Sequence, residues 1–308
     1  MKKIFSSVIG CMLLVGVVYI FRENISNFFY NYYLNNSIEI TSFTPNSYYR
    51  ERNYDYVQIT DDFVAKDKQH LLNIYYTIIN SGIDSFTFKC SQEYSECLND
   101  VESISNSSTI LSNINSFVHP FNGFNSIGTE YSTTGKVVIK VEKTYSDEEI
   151  EIIDKLIRQF IRDKLINVSS NKEKVKIIHD FIINNTKYDK DRSDNNIVNY
   201  KSDIAYGPLV EGYALCGGYT DAMALFLDYC GILNFKVISD NHIWNAVYLD
   251  GEWYHLDLTW DDPVSRNGTD ILDYSFFLIS TEQLLEIENE QHIFDSEVFS
   301  ELKIETSF

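Results

Sequence analysis

The sequence predicts an α+β protein of two folded parts behind an N-terminal transmembrane helix. Helical and strand periods mix along residues 46–145, and a second series, helices first and strands after, begins at Ser146. Aromatic residues form 15% of the 308-residue chain against 4 Pro and 13 Gly, so packing surface is plentiful and a disordered or collagen-like chain is excluded. Lys2 and Lys3 precede an uncharged, largely apolar run from Ile4 to Phe21, closed by Arg22 and Glu23. That run just reaches bilayer-spanning length and lacks a small-residue cleavage site, which reads as a retained signal anchor over 1–22 with the remainder outside the cell.

Residues 23–45, rich in Asn and aromatics, read as a stalk or first strand. In the 46–145 part, KDKQHLLNIYYTIINSG has helical periodicity ending at Gly82, and DSFTFKC alternates as a strand. The segment FNSIGTEYSTTGKVVIKVEKTY holds two alternating runs joined by a Ser-Thr-Thr-Gly turn, a β-hairpin. Cys90 and Cys97 are seven residues apart, a spacing open to a bridge or to two reduced thiols.

The second part spans 146–308 and opens with two capping boxes, Ser146 with Glu149 and Ser170 with Glu173, each heading an amphipathic helix. His179 lies in the second of these and reads as a packed helix residue. The loop after it carries Asp189, Asp191 and Asp194, but Asp194 and Tyr200 stand where a calcium loop needs Gly and a bidentate Glu. No CxxC pair occurs either, so neither metal nor cofactor is expected.

The chemistry-bearing stretch is AYGPLVEGYALCGGYTDAMALFLDYCGI. Cys216 stands at the head of a helical pattern, where aligned backbone N–H groups favour thiolate over thiol. Gly217 and Gly218 follow and would let a substrate approach the backbone. Downstream, FKVISDNHIWNAVYLDGEWYHLDLTWDDP reads as three strands, with Asp250-Gly251 turning the second into the third. His242 opens the second strand and Asp257 ends the third, so the hairpin makes them neighbours, as a base and its orienting carboxylate must be. Trp244, Trp253 and Trp260 read as walls or supports of a cleft, and Asp261 and Asp262 as a turn before Pro263.

The blocks GYALCGGYTDA and HIWNAVYLDGEWYHLDLTWDDP, with 26 residues from Cys216 to His242 and 15 from there to Asp257, resemble the transglutaminase-like superfamily of papain-type cysteine enzymes, in a bacterial membrane-anchored form. The resemblance runs from about residue 171 to 263. It implies a papain-like core in which the Cys helix packs on an antiparallel sheet. Cys216 is then the nucleophile, His242 the general base and acid, and Asp257 the group that orients His242. The papain-type glutamine is missing, since Val210 holds its place; Tyr206 offers a hydroxyl, and Gly217, Gly218 and Trp244 complete the expected substrate contacts.

The expected activity is thiol-dependent acyl transfer on peptide or protein amides at the cell envelope, with hydrolysis favoured over cross-linking and over a silent binding module. With 25 basic and 45 acidic residues the net charge is −20, which repels phosphate backbones and excludes nucleic acid as a partner. The expected partners are the peptide or protein substrate and the membrane.

Overall fold

The computed structural model describes residues 19–28, 42–263 and 272–303. Most of the predicted anchor, Ile4–Phe21, lies outside the described residues, as do residues 29–41 of the stalk. Among the described residues no helix is long and apolar enough to cross a membrane.

The chain is mixed α+β. Strand β1 (Val64–Ala65) leads into helix α1 (Lys68–Ser81), strand β2 (Ser85–Cys90), helices α2 (Cys97–Asn106) and α3 (Ser108–Ser116), and strands β3 (Phe124–Tyr131) and β4 (Lys136–Lys143). These strands form one sheet in the order β1-β2-β4-β3, with the Ser132–Gly135 turn closing the β3–β4 hairpin. Cys90 and Cys97 are joined in a disulfide that ties the end of β2 to the start of α2.

Helix α4 (Asp147–Phe160) begins with the full reciprocal capping box of Ser146 and Glu149. Helix α5 (Asn171–Asn184) has only half of one, Ser170 accepting from the Glu173 N–H. Short elements follow: β5 (Lys187–Tyr188), α6 (Lys190–Asn195) and β6 (Tyr213–Ala214). Helix α7 (Cys216–Tyr229) then packs on an antiparallel sheet of β7 (Asn234–Ile238), β8 (Ile243–Leu249) and β9 (Glu252–Leu256), and the short helix α8 (Thr281–Glu286) follows. The β8–β9 turn places Asp250 at φ 54° and Gly251 at φ 98°, the left-handed pair that a two-residue hairpin demands.

Alternation along the strands buries both faces of this sheet. Val247, Leu249 and Leu256 join a core with α4, α5 and α7. Phe235, Val237, Trp244 and Ala246 join the other core, shared with α1, β2 and β4. Polar ties cross between the two parts as well. The half-buried Arg50 guanidinium reaches Asp228 at the end of α7 (2.7 Å), and Tyr145 donates to Asp221 of α7 (2.8 Å) while accepting from the Ala205 N–H.

Candidate active site

Three elements bring the site together. The first turn of α7 carries Cys216, and two hydrogen bonds hold that helix against β8: Thr220 Oγ1 donates to the Ile243 carbonyl (3.0 Å) and Asn245 Nδ2 to the Thr220 carbonyl (3.0 Å). His242 stands immediately before β8 and Asp257 immediately after β9. Because Asn245 pairs with Leu256, the next positions outward are Trp244 and Asp257, with His242 two residues further along the chain and on the same face as Trp244.

His242 Nε2 and Asp257 Oδ2 are 2.5 Å apart, and the same imidazole is hydrogen-bonded to the Cys216 thiol. With Nε2 taken, Nδ1 is the nitrogen left for sulfur. The side chains of His242 and Asp257 are buried, whereas Cys216 is half-buried. Burial by itself would depress the imidazole, but the Asp257 charge, its hydrogen bond and the thiol outweigh it and hold His242 up at about 10. Burial would likewise raise Asp257, yet His242 and His292 pull it down to about 2. The pair is therefore an imidazolium and a carboxylate near neutral pH, beside the Cys216 sulfur. That arrangement can keep sulfur nucleophilic and later return a proton to a leaving group.

Cys216 and His242 open on a cavity of about 450 Å³, lined also by Tyr188, Ser193, Asn241, Thr259, Trp260 and Gln291. Trp260 stands where an aromatic wall was expected. Trp244 does not line the cavity, which corrects the expectation that it touches substrate. Only 1% of it is exposed; it stacks behind His242 (5.7 Å, 17°), and its Nε1 donates to His255 Nδ1 (2.9 Å). Strand alternation sends it, with Ala246, into the core shared with the N-terminal sheet.

Gly217 and Gly218 also serve differently from the expectation. A Cβ on Gly218 would lie 2.3 Å from the Ser202 carbonyl oxygen, and one on Gly217 2.6 Å from that of Asp203. The loop before α7 is what approaches these glycines so closely, so they seat the Cys216 turn. Tyr206 is absent from the cavity lining too. It heads the turn Gly207–Glu211, packs on the α4–α5–α7 core and lies under the Lys201 ammonium (5.4 Å).

Asp261 and Asp262, read as a plain turn, are buried and engaged. Asp261 Oδ2 is 3.1 Å from His179 Nε2, and its Oδ1 accepts from the Phe276 N–H (2.8 Å). Asp262 accepts from the Tyr219 hydroxyl at the cavity edge. His292 was not singled out by the sequence at all, yet its Nε2 lies 2.9 Å from Asp257 Oδ2. Among the described residues, His242, Asp257 and His292 form the one His/Cys/Asp/Glu group whose ligand atoms lie close enough, within 4.8 Å, to hold a cation. A cation there would have to displace both imidazole protons.

Residues 158–258, about a third of the chain, match the transglutaminase-like superfamily, and the match takes in Cys216, His242 and Asp257. Among solved structures, a transglutaminase (TGase) crystal structure aligns at 18% identity and a TM-score of 0.33, covering 44% of this chain and 44% of its own. A candidate cysteine protease from Cytophaga hutchinsonii aligns at 16% identity and a TM-score of 0.28, covering 50% of this chain and 69% of its own. This chain thus spans less than half the length of the first of them. No curated protein matches the sequence. Within its α+β fold the chain therefore carries, over residues 158–258, a segment that matches the transglutaminase-like superfamily.

Proposed function

We propose that the protein is a thiol-dependent acyl-transfer enzyme that hydrolyses peptide or protein amides. The observation that carries this reading is the chain Cys216, His242, Asp257, linked by hydrogen bonds and opening at its sulfur end on a cavity. Cys216 Sγ attacks the amide carbonyl carbon as the thiolate, and the C–N bond breaks as the His242 imidazolium gives its proton to the leaving amine, leaving a thioester and a neutral imidazole. Water then attacks the thioester carbon, His242 takes the water proton, the C–S bond breaks, and the carboxylic acid leaves with the thiolate and imidazolium restored. Asp257 stays ionised throughout and fixes the imidazole orientation. The Cys216 N–H, at the head of α7, is the natural donor to the oxyanion.

Water as acceptor is supported by the walls. Ser193, Asn241, Thr259 and Gln291 put polar groups on the cavity wall, and Trp244, which would have supplied a second indole wall, is buried behind His242. A cross-linker needs a dry passage for its amine. The disulfide Cys90–Cys97 supports a site outside the cytosol, in keeping with an anchor over Ile4–Phe21.

The test is partition of the thioester. The enzyme is incubated with an acyl-donor peptide library and excess labelled primary amine, and acid and amide products are compared by mass spectrometry. Predominance of acid product is expected. Predominant amide product would make it a transglutaminase, and neither product, together with an inert Cys216, a binding module.

A further inference from the structure

The buried Asp257 carboxylate receives more donors than a two-residue partnership with His242 requires. Its Oδ1 accepts from the backbone N–H groups of Thr259 (2.9 Å) and Trp260 (3.3 Å), and its Oδ2 from His242 Nε2 (2.5 Å) and His292 Nε2 (2.9 Å). An ionised carboxylate only accepts, so His292 must carry its hydrogen on Nε2. That leaves Nδ1 of His292, which is buried and has no hydrogen-bond partner among the described residues. The ring is boxed by Phe276 (4.7 Å, 16°), Trp244 (4.9 Å) and Trp260 (5.6 Å). In so aromatic a box a phenylalanine would pack equally well without stranding a ring nitrogen. The imidazole is thus retained against a local cost, and its one polar contact is Asp257.

The backbone around His292 is tied to the turn that carries His242. Ser239 Oγ donates to the Gln291 carbonyl (2.6 Å) and accepts from the His242 N–H (3.2 Å), while the Ser239 N–H bonds back to the His242 carbonyl (2.9 Å). The two imidazoles therefore flank one carboxylate oxygen from segments held in register with each other. The family-matched segment ends at residue 258, so His292 lies outside it.

We propose that His292 is a positioning residue of the thiol site: its Nε2–H pins Asp257 Oδ2, so that the carboxylate holds His242 with Nδ1 toward Cys216. The proposal rests on the thiol-enzyme reading, and the experiment separates the two. In the full chain, the rate of Cys216 alkylation by iodoacetamide at pH 7 is measured by mass spectrometry for wild type, His242→Ala, His292→Phe and His292→Gln, with melting temperatures alongside. Phenylalanine keeps the stacked ring and loses the donor; glutamine places an amide N–H where Nε2–H stood. Alkylation of the Phe variant is expected to slow by about tenfold, the scale of one hydrogen bond to a charge, and the Gln variant to recover most of it. Equal slowing in Phe and Gln variants, or none in either while His242→Ala is slow, would overturn the role of His292 and leave the thiol reading standing. A His242→Ala variant as reactive as wild type would instead remove the thiol reading itself. Nitrogen NMR of ¹⁵N-histidine-labelled wild type needs no variant to fold, and a His292 protonated on Nδ1 rather than Nε2 would also overturn the proposal.

Discussion

Two buried His–Asp pairs stand four residues apart where the chain leaves β9, and only one of them faces a thiol and a cavity. His242 with Asp257 and His179 with Asp261 use the same residue types, and both bonds are made through Nε2 to a carboxylate Oδ2. They differ in what faces the other ring nitrogen. For His242 it is the Cys216 thiol at a cavity. For His179 it is Asp180, itself held by Lys176 and Tyr274. The carboxyls differ too: two imidazoles hold Asp257 down at about 2, whereas burial of Asp261 outweighs its His179 and Phe276 donors and leaves its carboxyl raised. A buried His–Asp pair becomes an acid–base device only when the far nitrogen meets a reactive group and solvent can reach it. Otherwise it is a strut.

The strongest way to break this comparison is to neutralise each carboxylate. Asp257→Asn is expected to cut peptide turnover by about 10³–10⁴, since the amide disturbs both tautomer and orientation of His242. Asp261→Asn is expected to cost less than about tenfold. A reversed ranking in steady-state assays of the two folded variants would mean that the wrong carboxylate had been assigned to catalysis.

Stability should rank the other way for the strut. His179→Leu leaves Asp261 Oδ2 buried without its donor, and a loss of roughly 1–3 kcal/mol in chemical denaturation is expected, with Cys216 alkylation in the folded protein kept within about threefold. A large fall in alkylation rate would show that the second pair serves the first.

The pH dependence of stability sharpens the contrast further. His242 is raised to about 10, so its share is full below its ordinary 6.5 and lost as pH rises through about 10. Asp257 is lowered to about 2, so its share is full above its ordinary 3.8 and lost as pH falls through about 2. The two describe one ion pair and are counted once. The gap in urea midpoint between wild type and Asp257→Asn should therefore be widest from pH 4 to 6.5 and close on either side. A gap independent of pH would mean that the pair is not charged in the folded state.

The smallest effect on turnover should come from the disulfide, remote from both pairs. Cys90→Ser with Cys97→Ser opens a short loop and is expected to cost about 2–3 kcal/mol of stability, leaving Cys216 alkylation unchanged. Loss of that reactivity would place the N-terminal sheet in the mechanism.

Much of the site was legible because it is local. Cys216 heads a periodic helix, and a two-residue turn fixes which residue of β8 meets which of β9, so His242 and Asp257 fall together by counting. His179 carried a readable signal that went unused: it shares a helical face with Val175, Ile178 and Ile182, all buried, and a buried imidazole needs a polar partner. Trp244 was misplaced because a strand covered on both faces gives alternation no solvent side to indicate. His292 had no signal, since a lone histidine in a polar segment 35 residues beyond Asp257 reaches it only through tertiary packing.

The core that runs from α1 and β2 through Phe235, Val237, Trp244 and Ala246 makes residues 43–141 the floor beneath β7–β9. A fragment cut to start at Ser146 would present that floor's contact face bare to water, a sticky apolar plane in place of a finished enzyme. Shuffling this catalytic segment between relatives as an interchangeable cassette would fail for the same reason: the strand that carries Trp244 belongs to two hydrophobic interiors at once, and each must be inherited with the other.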